Sequence, residues 1–213
     1  MFDAVIFDLD GVLTDTAHYH FLAWQRLAEG EGIPFDEAFN ERLKGIDRMG
    51  SLELILSRAG RPYAPQEKLT LAERKNRHYQ ELIATMTSHD LLPGALNALD
   101  AAREAGLKVG LASVSKNAPL VLDKLGITDR FDDIVDARHI ARGKPDPEIF
   151  LTAAAHLHVE PARCIGVEDA VAGIQAIKRA GMYAVGVGEP SVLTEADRVI
   201  PGLDAFHLSD YVK

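Results

Sequence analysis

The sequence predicts an α/β fold: a doubly wound, mostly parallel sheet with an all-helical domain inserted just after the first strand. Three observations predict it. Ala4-Val5-Ile6-Phe7, between Asp3 and Asp8, is an unbroken apolar run of the length of a buried strand. From Thr16 to about Ser88 the apolar residues recur with helical spacing. After Pro93-Gly94, short apolar runs alternate with helical patterns, which calls for parallel strands joined by crossover helices.

The first strand, Asp3–Asp8, has no strand-like neighbour in sequence until Val109. It most simply joins the later sheet, which makes the helical block an insertion. Within that block, His18–Glu31 aligns Phe21, Trp24, Leu27 and Ala28, and Pro65–Met86 aligns Leu69, Ala72, Tyr79, Ile83 and Met86. Pro34, Gly45, Gly60 and Pro62 divide the block into about four helices. Strands follow at Val109–Ala112, Ile134–Val135, Cys164–Val167, Ala184–Val187 and Val199–Ile200. Helices are expected at Ala95–Ala105, Pro119–Leu125, Pro147–His156 and Val171–Ala180. The expected organisation is a Rossmann-like core from residues 1–15 and 88–213, with a helical cap over 16–87. Thr14–Ala17 and Ser88–Leu92 are the chain crossings and the hinge candidates.

Composition narrows the function. The 213 residues carry 23 Lys+Arg against 32 Asp+Glu, a net charge of −9, and 47% are hydrophobic. A chain of this length buries roughly 70% of its unfolded surface, so a core forms without staples. The acidic balance argues against nucleic-acid or anionic-membrane partners. No run approaches the ~18 apolar residues of a membrane span, and Asp3, Asp8 and Asp10 stand where a signal peptide needs positive charge. A cytoplasmic monomer is expected. Cys164, the sole cysteine, excludes an internal disulfide or a cysteine-based zinc cluster and reads as a buried filler.

In an open α/β sheet, ligands gather at the carboxyl ends of the strands. Those ends carry Asp8-Leu9-Asp10-Gly11-Val12, Ser113-Val114-Ser115-Lys116-Asn117 and Gly166-Val167-Glu168-Asp169, and a loop adds Gly143-Lys144-Pro145. Asp8, Asp10, Glu168 and Asp169 crowded together need a cation, and hard oxygen donors favour Mg²⁺. Lys144 and Lys116 supply positive charge for an anionic substrate. Ser113, Ser115 and Asn117 precede a helix whose free N–H groups favour an anion. This is the equipment of phosphoryl transfer. A carboxylate that attacks phosphorus cannot also move the alcohol proton, so Asp8 is read as nucleophile and Asp10 as general acid/base.

These ordered motifs resemble the haloacid dehalogenase-like phosphotransferases over essentially the whole chain. Phe7–Val12, Thr14-Asp15-Thr16, His20, Ala23-Trp24, Phe39-Asn40-Glu41, Leu43-Lys44-Gly45, Arg48, Ser51 and Arg74-Lys75-Asn76 look further like the bacterial β-phosphoglucomutase family. So do Leu111–Asn117 and Ala172–Ile177. The resemblance implies interconversion of β-D-glucose 1-phosphate and glucose 6-phosphate, through an aspartyl-phosphate and β-D-glucose 1,6-bisphosphate. It implies Mg²⁺ on Asp8, the Asp10 backbone oxygen, Glu168 and Asp169. Ser113, the Val114 backbone and Lys144 would hold the transferring phosphate; Arg48, Ser115, Lys116 and Asn117 would meet the other. In the cap, His20, Lys44, Gly45, Ser51 and Lys75 would face the sugar, and Thr16 with His20 would help position Asp10.

Blander readings stand beside these. Lys44, Arg48 and Lys75 are also what a solvated helix surface carries, and Trp24, a candidate sugar contact, lies on an apolar stripe that favours core packing. A Mg²⁺-dependent phosphatase of small sugar phosphates shares the core but not the second anion site. A receiver-type regulatory module shares the acidic strand ends and the lysine, but is about half this length and has no cap.

Overall fold

A computed structural model describes residues 1–43, 46 and 48–211. The chain divides into two compact units, Met1–Asp15 with Met86–Lys213, and Thr16–Thr85. Among the described residues no helix is long and apolar enough to cross a membrane.

Among the described residues the first unit holds six parallel strands: β1 (Ala4–Phe7), β2 (Lys108–Leu111), β3 (Asp133–Ile134), β4 (Cys164–Glu168), β5 (Tyr183–Val187) and β6 (Arg198–Ile200). Their order across the sheet is β3-β2-β1-β4-β5-β6. The chain winds outward from β1 in one direction through β2 and β3, then returns to β4 on its other side. β1 is therefore the switch point, where an open α/β sheet leaves a crevice. In-register pairing sets Phe7 beside both Leu111 and Val167. The residues that follow these three strands emerge together.

Strand alternation sends Ala4 and Ile6 into an apolar cluster with Ile149, Phe150, Ala153 and Ile177. Those partners come from the helices Glu148–Leu157 and Val171–Arg179. The opposite face carries Phe7, whose ring meets Phe206 edge-on at 6.1 Å, and the helix Ala95–Glu104 also packs on β2. Helices thus cover both faces, as a sheet of fully buried strands requires. Cys164 is wholly buried and burial pushes its thiol up to about 12, in keeping with a filler.

The second unit is helical: α1 (Ala17–Gly30), α2 (Glu37–Asn40), α3 (Arg48–Leu56) and α4 (Pro65–Ile83). α2 starts where Asp36 Oδ1 accepts from the Phe39 N–H, and α4 where Glu67 accepts from the Ala64 N–H. α1 and α4 pack on each other, and Trp24, Leu27, Phe39, Leu52, Ile55 and Leu71 fill the interior. Three positions depart from the expected stripe of α4. Leu69 is 49% exposed, while Leu71 and Lys75 are buried. The buried line runs Leu71, Lys75, Tyr79, Ile83 in steps of four, and Leu69 lies at its edge. Met86 is also buried, but belongs to the first unit.

The remaining helices of the first unit, in chain order, are α5 (Ala95–Glu104), α6 (Ala118–Leu125), α7 (Glu148–Leu157) and α8 (Val171–Arg179). Its two terminal crossings are tied together. Thr14 Oγ1 donates to the Asp90 carbonyl at 2.7 Å, and the Leu92 N–H donates to the Leu13 carbonyl at 2.9 Å.

Candidate active site

The ladder between β1 and β4 extends one residue past Phe7, through the Asp8 N–H to the Val167 carbonyl at 2.9 Å. The chain then turns. The Leu9 carbonyl accepts from Leu13 and Thr14, and Gly11 takes a positive φ of 77°. Asp10 sits at the head of this turn, bridged to Thr14. A side chain at Gly11 is disfavoured twice: by the left-handed conformation, and because a Cβ would sit 2.0 Å from Asp169 Oδ2 and force that carboxylate to move.

Carboxylate oxygens of Asp8, Glu168 and Asp169 lie within 4.8 Å of one another. The Asp10 carboxylate is not one of this group. Lys144 Nζ donates to Asp8 Oδ1 at 2.6 Å and to Glu168 Oε2 at 2.7 Å. All three side chains are nearly closed to solvent, at 11%, 9% and 2% exposure for Lys144, Asp8 and Glu168. Glu168 Oε1 also accepts from the Asp169 and Ala170 N–H groups at 3.1 Å, at the start of α8.

The electrostatics follow from this crowding. Burial, reinforced by Glu168, raises Asp8 to about 6 against the pull of Lys144. Burial also raises Glu168 and Asp169. For Lys144 burial opposes the charge, but Asp8 and Glu168 outweigh it and push its pKa up. Three close carboxylates and one ammonium leave an excess of negative charge among hard oxygen donors. That set fits a divalent cation of the Mg²⁺ kind, with Asp8, Glu168 and Asp169 to hold it.

Next to Asp8, the segment after β2 folds on its own hydroxyls. The Ser115 N–H donates to Ser113 Oγ at 3.2 Å, and the Asn117 N–H to Ser115 Oγ at 3.3 Å. This coils 113–117 into the start of α6. Asn117 holds the N-cap position of α6 without a capping bond from its side chain. Ser113 and Asn117 are buried, whereas Val114 and Lys116 are exposed. The first unit thus gathers Asp8, Lys144, Glu168, Asp169 and the 113–117 loop at the strand ends flanking β1.

The cap residues form a second cluster. The His20 N–H donates to the Thr16 carbonyl at 3.0 Å, so the two side chains lie one turn apart. Lys75 Nζ reaches His20 Nδ1 at 2.7 Å, stands 4.6 Å from the Trp24 ring centroid and 5.0 Å from that of Tyr79. The His20 ring stacks on Tyr79 at 4.1 Å. A charged Lys75 can only donate, which places the His20 proton on Nε2 whenever Lys75 is protonated. Burial, then Lys75 and Arg48, lowers His20 to about 3. Burial and Arg48 lower Lys75 to about 7.

Arg48 Nη2 donates to Asn76 Oδ1 at 2.9 Å, and Ser51 Oγ to the Ile46 carbonyl at 3.3 Å. Trp24 is 4% exposed and packs in the cap interior, where its ring faces Lys75. Packing, the blander of the two readings, is what the structure gives it. Lys44 and Gly45 lie outside the described residues. Sequence reasoning missed Tyr79 as the platform for His20, although its place one turn after Lys75 was a usable signal.

Comparison with known proteins agrees with this geometry. The model of the haloacid dehalogenase-like hydrolases matches residues 2–181. A β-phosphoglucomutase of Bacillus subtilis is 57% identical over 92% of this chain and 88% of its own. A phosphorylated carbohydrates phosphatase of Thermotoga maritima is 32% identical over 86% and 83%. Among solved structures, a β-phosphoglucomutase from Clostridium difficile superposes with a TM-score of 0.90 at 48% identity, covering 99% of this chain and 95% of its own. An acidic cluster at the switch point of a parallel sheet, a buried lysine bridging it and a match spanning nearly the whole chain have one reading: the chain belongs to the haloacid dehalogenase-like hydrolase family.

Proposed function

We propose that this protein is a β-phosphoglucomutase, interconverting β-D-glucose 1-phosphate and glucose 6-phosphate through an aspartyl-phosphate on Asp8. The observation that carries phosphoryl transfer is the buried Asp8 carboxylate at the switch point, held by Lys144 beside Glu168 and Asp169. What favours mutase over phosphatase is the 57% and 48% identity to β-phosphoglucomutases, against 32% to the carbohydrate phosphatase.

In this reading an Asp8 oxygen attacks one phosphorus of β-glucose 1,6-bisphosphate. The P–O bond to the sugar breaks, and Asp10 protonates the departing oxygen. The resulting monophosphate turns over in the site; Asp10 then takes the proton from its other hydroxyl, which attacks the aspartyl-phosphate and frees Asp8. Bisphosphate is thus both activator and intermediate. Bound Mg²⁺ supplies positive charge that draws electron density from the transferring phosphoryl oxygens. Lys144 holds the nucleophile oriented, and Ser113 and the Val114 backbone receive the transferring phosphate.

The second phosphate is assigned to Ser115, Lys116, Asn117 and the Arg48 guanidinium, whose planar fork suits a held phosphate. Lys75 and Ser51 are assigned to the sugar, and Thr16 with His20 to positioning Asp10. The Nε2–H tautomer of His20 supports that role, because it leaves a donor for a carboxylate.

The test is protein with Mg²⁺, β-glucose 1-phosphate and a trace of bisphosphate. Glucose 6-phosphate is the expected product. Free phosphate accumulating as fast as any isomer would favour the phosphatase reading that the Thermotoga relative raises. Asp8→Asn should lose all turnover, and Asp10→Asn should keep metal and substrate binding while blocking the alcohol step. Appreciable turnover by Asp8→Asn would rule out covalent transfer.

A further inference from the structure

Glycine at the third position of a helix is unfavourable by about 1 kcal/mol relative to alanine, so Gly173 in the first turn of α8 asks for a reason. Its conformation gives none, for it is an ordinary helical residue. Its surroundings do. A Cβ on Gly173 would lie 2.0 Å from Cδ and Oε2 of Glu168, and 2.2 Å from its Cγ.

Contacts that close are relieved cheaply when a flexible side chain can swing aside, and Glu168 cannot. It is 1% exposed. Oε2 accepts from Lys144 Nζ at 2.7 Å, and Oε1 accepts from the Asp169 and Ala170 N–H groups at 3.1 Å. Swinging the carboxylate away breaks all three hydrogen bonds and draws it off Asp8 and Asp169.

We propose that Gly173 is a positioning residue for the metal site: the missing Cβ is the slot in which the Glu168 carboxylate lies, and the slot's depth is what allows the longer acid at 168. The inference rests on reading Asp8, Glu168 and Asp169 as the Mg²⁺ site. Gly11 is related to Asp169 in the same way, but its positive φ would mix backbone strain into any substitution. Gly173 gives the cleaner test.

The experiment measures Mn²⁺ affinity by electron paramagnetic resonance, and Mg²⁺ affinity by competition, with metal-free melting followed by circular dichroism. Substituting a residue that orients a metal ligand commonly costs 10–100-fold in metal affinity, and Gly173→Ala is expected in that range. In the Glu168→Asp background, where the acid is one methylene shorter, adding Gly173→Ala should cost less than about threefold, a non-additivity that reports the contact itself.

Wild-type-like affinity in Gly173→Ala overturns the proposal, as does an equal loss in both backgrounds. Should Gly173→Ala fail to fold, folding of the Glu168→Asp, Gly173→Ala double variant supports the proposal, and its failure to fold overturns it. The metal reading fails separately: wild-type protein would bind no Mn²⁺, or Asp8→Asn and Asp169→Asn would bind it unchanged.

Discussion

Lys144 offsets the charge of two carboxylates that are nearly sealed from water. Removing one partner of a buried charged group costs about 3–5 kcal/mol, because the other charge is left uncompensated. Lys144→Met should therefore lower metal-free stability by about that amount in urea unfolding. Added Mg²⁺ should return part of it by taking over the neutralisation. A loss below about 1 kcal/mol would mean that Asp8 and Glu168 are effectively solvated. Asp8, Glu168 and Asp169 were legible in the sequence because they end apolar strands at the carboxyl end of the sheet, where an unneeded charge has no structural reason to be; Lys144 stands in an already charged loop and was legible through its place in the ordered motif set. Lys75 was legible only as a family match. A lone lysine on an amphipathic helix reads as solvated, and nothing local says that Trp24, Tyr79 and His20 close around it. The closeness of Gly173 to Glu168 depends on helix placement to within an ångström, which no spacing rule reaches.

At the scale of the element, α4 carries a charged residue in its buried stripe, and that has a pH signature. Lys75 has a pKa of about 7 in the folded protein against 10.5 for an ordinary lysine. Between those values the unfolded chain binds more protons than the folded one, so stability rises with pH across this window and is lost as pH falls toward 7. Lys75→Met should flatten that rise. At neutral pH it should also stabilise the protein by about 1–3 kcal/mol, since an apolar chain replaces a charge held out of water. Mutase activity should fall at the same time. Urea unfolding of wild type and variant at pH 6.5, 8 and 9.5 checks this; parallel profiles would mean that Lys75 keeps its proton throughout. The same helix shows where sequence patterning stops. Its existence and start are readable from Pro65 and the apolar recurrence, yet that recurrence runs the stripe through Leu69, because a lysine does not count as apolar. The strands fared better. Each is short, apolar and bounded by polar residues, and the expected and observed spans differ by a residue or two. The hydrogen bonds that close the turn at Leu9–Thr14 onto the Leu9 carbonyl leave no trace in residue type beyond Gly11.

On the scale of the whole molecule, one sheet with a helical insert was visible in the long gap between β1 and the next apolar run, since a lone strand cannot be stable and must find partners elsewhere in the chain. This two-unit construction makes a prediction about where metal binding is felt. The candidate donors Asp8, Glu168 and Asp169 all belong to the first unit. A ligand that binds only the folded state adds about 2.7 kcal/mol at one hundred times its Kd, and the gain falls on the openings that would destroy its site. Mg²⁺ at that concentration should therefore slow amide hydrogen exchange in β1, in β4 and in the first turn of α8. Exchange in α1 and α4, which contribute none of those carboxylates, should change little. Mass-spectrometric exchange of wild-type protein with Mg²⁺ and with a chelator reads this directly. Asp169→Asn is the control, keeping the fold while withdrawing a donor, and should lose most of the protection. Equal slowing in cap and core would mean that the two units open only together. Slowing that persists in Asp169→Asn would place the cation away from the strand ends and take the metal out of the proposed chemistry.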